Sequence, residues 1–156
     1  MEKKPVRLSQ VHMTELVLPN DANQLGNLHG GRLMHWLDIA SSIAAQRHSG
    51  RVCVTASVDE LNFHLPIKLG EVVTLMASVN RAFRTSMEVG VLVTAQGLQE
   101  HVPRRANNAY LTFVAIDENG RPVQVDEIVP ETPEEKRRYD AALTRREERL
   151  ARRRPV

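Results

Sequence analysis

With 156 residues, 42% of them hydrophobic and 26% charged, the chain has the size and composition of one domain around a single core. No apolar run reaches the length of a membrane span, and residues 1–10 lack the apolar stretch of a signal peptide, so a cytoplasmic protein with no membrane partner is expected. The formal net charge of +2 sits in the tail, where nine Lys or Arg from Glu131 onward face six Asp or Glu; without a basic stripe interleaved with aromatics, no nucleic-acid partner is expected.

Taken in chain order, residues 1–9 are polar and expected to fray. Val11 to Leu18 reads as a first strand that delivers the chain into a loop. There Pro19, Asn20, Asp21, Asn23, Gly26 and Asn27 supply turn chemistry. A helix is expected from Gly30 to His48, with Leu33, Trp36, Leu37, Ala40, Ile43 and Ala44 on one apolar face. Asp38 lies off that face, on a flank with Met34, Ser41 and Ala45. Ser49-Gly50 supplies the stop signal.

Strands follow. Val52, Val54, Ala56 and Val58 alternate with Cys53, Thr55 and Ser57, a half-buried pattern. Cys53 is the only cysteine, so no disulfide framework is possible and a buried, inert thiol is expected. Phe63 to Gly70 is a proline-containing connection. Val73 to Val79, Met87 to Ala95 and Ala109 to Ile116 carry further strand patterns, and Asn119-Gly120 marks a turn into Val123 and Val125. Arg104 and Arg105 fall in a polar segment that reads as loop. One long helix followed by strands at hairpin spacing indicates an α+β fold with an antiparallel sheet. Thr132-Pro133-Glu134-Glu135 is a capping box that opens a charged helix, fraying at Arg152 to Arg154. The expected division is therefore 1–130 for the core and 131–156 for the charged helix.

The stretch around the long helix carries chemical potential. Two glycines at its start, Gly30 and Gly31, admit a close approach to the backbone, and the N–H groups of a first turn suit a developing oxyanion. A carboxylate two turns further on, Asp38, can meet the same pocket. The plain alternative is a relaxed helix cap with a solvated aspartate. His29, His35 and His48 show no HExxH-type spacing, so no metal site is expected.

The segment DAN-QLGN-LHGG-RLMHWLD resembles the signature of the hotdog-fold acyl-CoA thioesterases. The similarity is to the branch of bacterial acyl-CoA hydrolases and the cytosolic, brain-type hydrolase. It extends from about Thr14 to Arg153 through FHLPIKLGE (Phe63 to Glu71), RTSMEV (Arg84 to Val89) and VPETPEEKRRY (Val129 to Tyr139). The resemblance implies a sheet wrapped around the central helix and hydrolysis of acyl-CoA, with no cofactor beyond the CoA of the substrate. It also implies a homodimer, gathered as a trimer of dimers, with a site shared between two chains.

On this resemblance Asp38 is the catalytic acid/base or nucleophile. Asn23 is its amide partner, although an Asx-turn role fits equally. Gly30 and Gly31 polarise the carbonyl, and His29 lines the mouth. Arg84, Thr85 and Ser86 match a short motif near the CoA phosphates, with Arg104 and Arg105 as weaker candidates. Ser41 and Ser42 replace glycines found in several relatives. Two alternative functions stay open here: a hydroxyacyl dehydratase, poorly echoed by His64-Leu65-Pro66, and a non-catalytic acyl-CoA-binding sensor.

Overall fold

The computed structural model describes residues 1–61, 63 and 65–153. His64 of the dehydratase-like tripeptide and Arg154 of the tail lie outside the described residues. The elements in order are β1 (Lys3–Pro5), β2 (Val11–Leu16), α1 (Gly30–Ser49), β3 (Val52–Asp59), β4 (Val72–Ala82), β5 (Ser86–Gln96), β6 (Arg104–Ile116), β7 (Glu127–Val129) and α2 (Pro133–Arg152). Short 3-10 turns cover Val6–Ser9 and Pro19–Asp21.

Five strands form one antiparallel sheet in the order β2-β4-β5-β6-β3. Alternation along β4, β5 and β6 turns Val73, Leu75, Val79, Val89, Val93, Leu111 and Phe113 to one face, where all are buried. The helix α1 lies against that face with Leu33, Trp36, Leu37, Ala40 and Ala44 inward, as its periodicity requires. Ser41, Ala45 and His48 are buried as well, so the covered stripe is wider than the apolar pattern alone. Gly50 ends the helix in the left-handed region (φ 65°), donating its N–H to Gln46 O at 2.8 Å. A long helix wrapped by an antiparallel sheet is the hotdog arrangement.

Three sequence expectations need correction. Residues 1–9 do not fray: β1 pairs in parallel with β7, Lys4 bridges Asp126 at 2.9 Å and donates to His48 O, and Val6 and Ser9 are buried. Pairing and burial offset the ordering cost that would leave a polar terminus loose. Arg104 and Arg105 are strand residues rather than loop, because β6 begins at Arg104.

The third correction is in β3. Ala56 is the extra residue of a bulge between Thr55, opposite Phe113, and Ser57, opposite Thr112. A bulge reverses which face successive side chains meet. Cys53 and Thr55 therefore face α1, whereas Ser57 and Asp59 face the outer side of the sheet, and Val52 is 63% exposed. Cys53 is half-buried beside Ser49 Oγ (3.3 Å), and burial pushes its thiol up in pKa, which disfavours the reactive thiolate.

On that outer side lies α2, opened by reciprocal Thr132 and Glu135 hydrogen bonds. Only Ala142 of this helix is buried, so apolar area does little to dock it. Charged contacts do the work instead: Arg145 forks onto Glu88, which is 1% exposed, and stacks on Tyr110 at 3.6 Å. Arg81 stacks on Tyr139 at 3.9 Å, and Arg149 meets Asp59 at 3.1 Å.

Candidate active site

The loop before α1 is built by side-chain to backbone bonds rather than by a core. Asn23 Oδ1 accepts the N–H groups of Leu25 (2.9 Å) and Asn27 (3.1 Å), while Asn23 N–H donates to Asn27 O at 2.8 Å. The Asx-turn role of Asn23 is thus present. Its amide nitrogen has no partner among the described residues, so one end of the side chain shapes the loop and the other is available. Leu28 N–H to Ile67 O (2.6 Å) and Leu69 N–H to Gly26 O (2.8 Å) zip this loop to the segment before β4.

At the start of α1, His29 is the N-cap residue with no side-chain cap bond, and it is exposed. Nothing lies within 4 Å of the Cβ position at Gly31, so the first turn opens outward there. Gly30 is different: a Cβ would meet the Phe63 ring at 3.3 Å. Phe63 is half exposed and reaches Gly30 after the chain leaves β3 through Glu60, whose φ of 50° puts a non-glycine residue in the left-handed region. The glycine therefore admits an aromatic lid over the helix start, a contact that the sequence did not suggest.

Asp38 sits on the flank of α1, about 10 Å beyond Gly31 by helical rise. It is half-buried, and its Oδ1 accepts the Thr55 hydroxyl at 2.6 Å, a charge-assisted bond. Thr55 is the residue that sequence reasoning missed. Its signal was faint: a threonine in an alternating strand reads as an ordinary β residue, and only the register of β3 against α1 brings it to the carboxylate.

The remaining candidates are dispersed. Arg84 and Thr85 form the turn between β4 and β5, with Ser86 as the first residue of β5. Thr85 O accepts Ala115 N–H and Arg84 O accepts Val125 N–H, which fixes the turn and leaves the Arg84 side chain exposed. This turn lies at the C-terminal end of α1, whose 20 residues span about 30 Å, and so not beside the same chain's Gly31. Arg104 is held by two carboxylates, Glu71 at 2.5 Å and Glu100 at 2.6 Å. Arg105 is exposed and faces the outer side of the sheet, where it lines a cleft of about 480 Å³ with Arg137, Arg138 and Tyr110. That cleft is on the far side of the sheet from Asp38.

Comparison with known proteins fits this geometry to a family. A family model described as the thioesterase superfamily matches residues 25–101. An uncharacterized acyl-CoA thioester hydrolase of Bacillus subtilis is 42% identical over 146 residues, 94% of this chain and 85% of that protein. The chain belongs to the thioesterase superfamily. A mouse acyl-coenzyme A thioesterase is 41% identical over 142 residues, 91% of this chain, which spans only 24% of that longer relative.

Solved thioesterases overlay closely. An acyl-CoA hydrolase of Staphylococcus aureus, solved with butyryl-coenzyme A, coenzyme A and coenzyme A disulfide, has a TM-score of 0.91 at 37% identity, covering 97% of this chain and 92% of that one. The same hydrolase has been solved with an aspartate, a threonine or an asparagine changed to alanine, the last in complex with coenzyme A. In chain order those residues stand fifteen and then seventeen positions apart, the spacing of Asn23, Asp38 and Thr55 here. An apo-hexameric acyl-CoA thioesterase has a TM-score of 0.93 at 37% identity, covering 97% of both chains.

Proposed function

We propose that this thioesterase hydrolyses acyl-CoA to a free acid and coenzyme A, needing no cofactor beyond the CoA of its substrate. The observation that carries the reading is the Thr55–Asp38 pair at 2.6 Å on the flank of α1. Its spacing from Asn23 matches the three positions altered in the S. aureus enzyme.

In the reaction, the thioester oxygen lies against the N–H groups of Gly30 and Gly31, between the Phe63 ring at Gly30 and the open side at Gly31, with His29 at the mouth. These fixed donors gain strength as the carbonyl oxygen becomes an anion. Thr55 occupies Oδ1 of Asp38, so Oδ2 is left to take a proton from water. The water oxygen bonds to the carbonyl carbon, the C–S bond breaks, and its electron pair departs with the CoA sulfur as thiolate. The Asn23 amide donates to the water or the oxyanion without changing charge. Arg84, Thr85 and Ser86 bind the CoA phosphates. Arg104, already neutralised by Glu71 and Glu100, is a poor phosphate ligand, and Arg105 would serve only across an assembly contact.

The active assembly is a homodimer joined along β3, collected into a trimer of dimers. Two features support the dimer, and the hexameric thioesterase that overlays this chain supports the trimer of dimers. β3 is an edge strand with Val52 and Val54 exposed on it, and an unpaired edge is a template for a second chain. A two-fold axis beside β3 would run the two α1 helices antiparallel, bringing Arg84 of the partner subunit towards Gly31 of the first. The site then draws Asn23 from one chain and Asp38 from the other. Residues 1–130 carry the chemistry, and α2 (Pro133–Arg152) braces the sheet. A cytoplasmic location is in keeping with a cytosolic rat relative at 38% identity, and no helix among the described residues is long and apolar enough to cross a membrane.

Release of free thiol from a panel of acyl-CoAs tests the activity. Hydrolysis should appear with at least one chain length and be mostly lost in Asp38→Ala protein that still binds coenzyme A. No thiol release from any member of the panel would refute the reading.

A further inference from the structure

Asp21 is a carboxylate that the mechanism above does not use, and it is 7% exposed. A buried charge is costly unless it is paired, and this one is paired on every side. Its Oδ2 accepts Leu18 N–H at 2.9 Å, holding the exit of β2. Its Oδ1 meets Arg32 Nε at 3.1 Å, within the first turn of α1. Its own carbonyl accepts His29 N–H at 2.9 Å, at the N-cap. The loop that carries Asn23 thus leaves from Asp21 and returns to Asp21.

Arg32 sharpens the point. A cation in the first turn opposes the helix dipole and is disfavoured there without a counter-charge. Asp21 supplies that counter-charge, and Arg32 in turn neutralises a carboxylate that would otherwise weaken the helix start as an anion site.

We propose that Asp21, acting through Arg32, is the positioning residue of the site, fixing the Asn23 amide relative to the N–H groups of Gly30 and Gly31. The inference rests on the acyl-CoA hydrolase reading for its kinetic consequence only, since the loop geometry can be measured without turnover. Displacement of a reacting group by about an ångström costs up to about a hundredfold in rate, so kcat should fall more than KM rises.

The test uses the full-length protein as Asp21→Asn, Arg32→Gln, Arg32→Lys and the Asp21→Asn/Arg32→Gln double variant. Rates are expressed per folded chain, with folding followed by circular dichroism. Asp21→Asn should lose roughly ten- to a hundredfold in kcat with KM for acyl-CoA within about threefold. Arg32→Gln should be more damaging than the double variant, because it alone leaves a buried carboxylate without its counter-charge beside the developing oxyanion. Arg32→Lys should recover part of the loss.

Hydrogen exchange supplies the readout that needs no substrate: amides of residues 22–31 should exchange faster in Asp21→Asn while those of β4 to β6 are unchanged. A kcat within twofold of wild type, or independent multiplication of the two single losses in the double variant, would overturn the positioning role. Unaltered exchange at 22–31 would overturn it whatever the activity. Absence of thiol release from the wild-type protein would instead count against the hydrolase reading, leaving the exchange result to decide Asp21.

Discussion

Replacing Thr55 by valine removes one hydroxyl and keeps the branched shape that a strand prefers, so the change isolates the bond to Asp38. That bond is 2.6 Å long and joins a neutral donor to a carboxylate. Hydrogen bonds to charged groups contribute about 1.5–3 kcal/mol, and the lower end applies here because Thr55 is exposed and water competes for Asp38 in a single chain. A loss of about 1.5 kcal/mol is about tenfold in rate. Steady-state thiol release should therefore show Thr55→Val roughly tenfold down in kcat/KM, and Thr55→Ser close to wild type because the hydroxyl returns. Thermal unfolding should fall by no more than a few degrees, since the bond is made by an exposed threonine and no buried group is orphaned. Valine and serine variants of equal activity would refute the idea that Thr55 acts through its hydroxyl. A large fall in Tm for valine would point to a role in strand packing.

Mixing Asn23→Ala with Asp38→Ala protein, after proof of subunit exchange, should restore about a quarter of all sites if each site is shared by two chains; activity fixed at the single-mutant level would exclude sharing. Arg84→Ala should raise KM for acyl-CoA and leave acyl-pantetheine untouched, whereas an equal effect on both substrates would rule out a contact to the nucleotide. Gly90→Ala would put a Cβ 2.6 Å from Asn80 Nδ2, and Asn80 is buried and bonded to Glu88 at 3.0 Å. Such overpacking costs about 1–3 kcal/mol, so Tm should drop by several degrees in a calorimetric scan. His48 is buried with Nε2 at 2.7 Å from Asp126 O, and burial, more than any charge, lowers its pKa below the usual 6.5. The unfolded chain then takes up the proton first, so this contribution to stability is complete above pH 6.5 and lost as pH falls below it. Urea unfolding at several pH values should show that slope in wild type and a flatter one in His48→Leu.

The helix and its ends were legible because their signals are local: a 3.6-residue apolar stripe, Gly50 at the stop, and Thr132 with Glu135 at the second start. Asp38 was legible as a flank residue for the same reason. What escaped was everything set by register or by distant charge. Continuous alternation through Val52, Val54, Ala56 and Val58 hid the bulge, since a bulge leaves the composition of a strand unchanged. The Arg145–Glu88 fork and the Asp21–Arg32 pair join residues whose types are common on surfaces, and nothing in their spacing predicts burial. Residues 1–9 looked loose because the partner that orders them, β7, lies more than a hundred residues away.

The bulge at Ala56 explains how one edge strand can serve two layers. Thr55 must turn inward to reach Asp38 on α1, and Asp59 must turn outward to reach Arg149 on α2. In an unbroken strand the two would share a face, because they are four residues apart and side chains repeat every two. The extra residue changes the phase between them, so both contacts exist at once. Beyond Asp59 the chain turns at Glu60 and carries Phe63 over Gly30, so the same strand end that α2 anchors also sets the lid on the helix start. The charged helix on the outer face and the candidate site on the inner face are therefore linked mechanically through a single bulged strand. That strand is also an edge of the sheet, the one on which the proposed dimer would join.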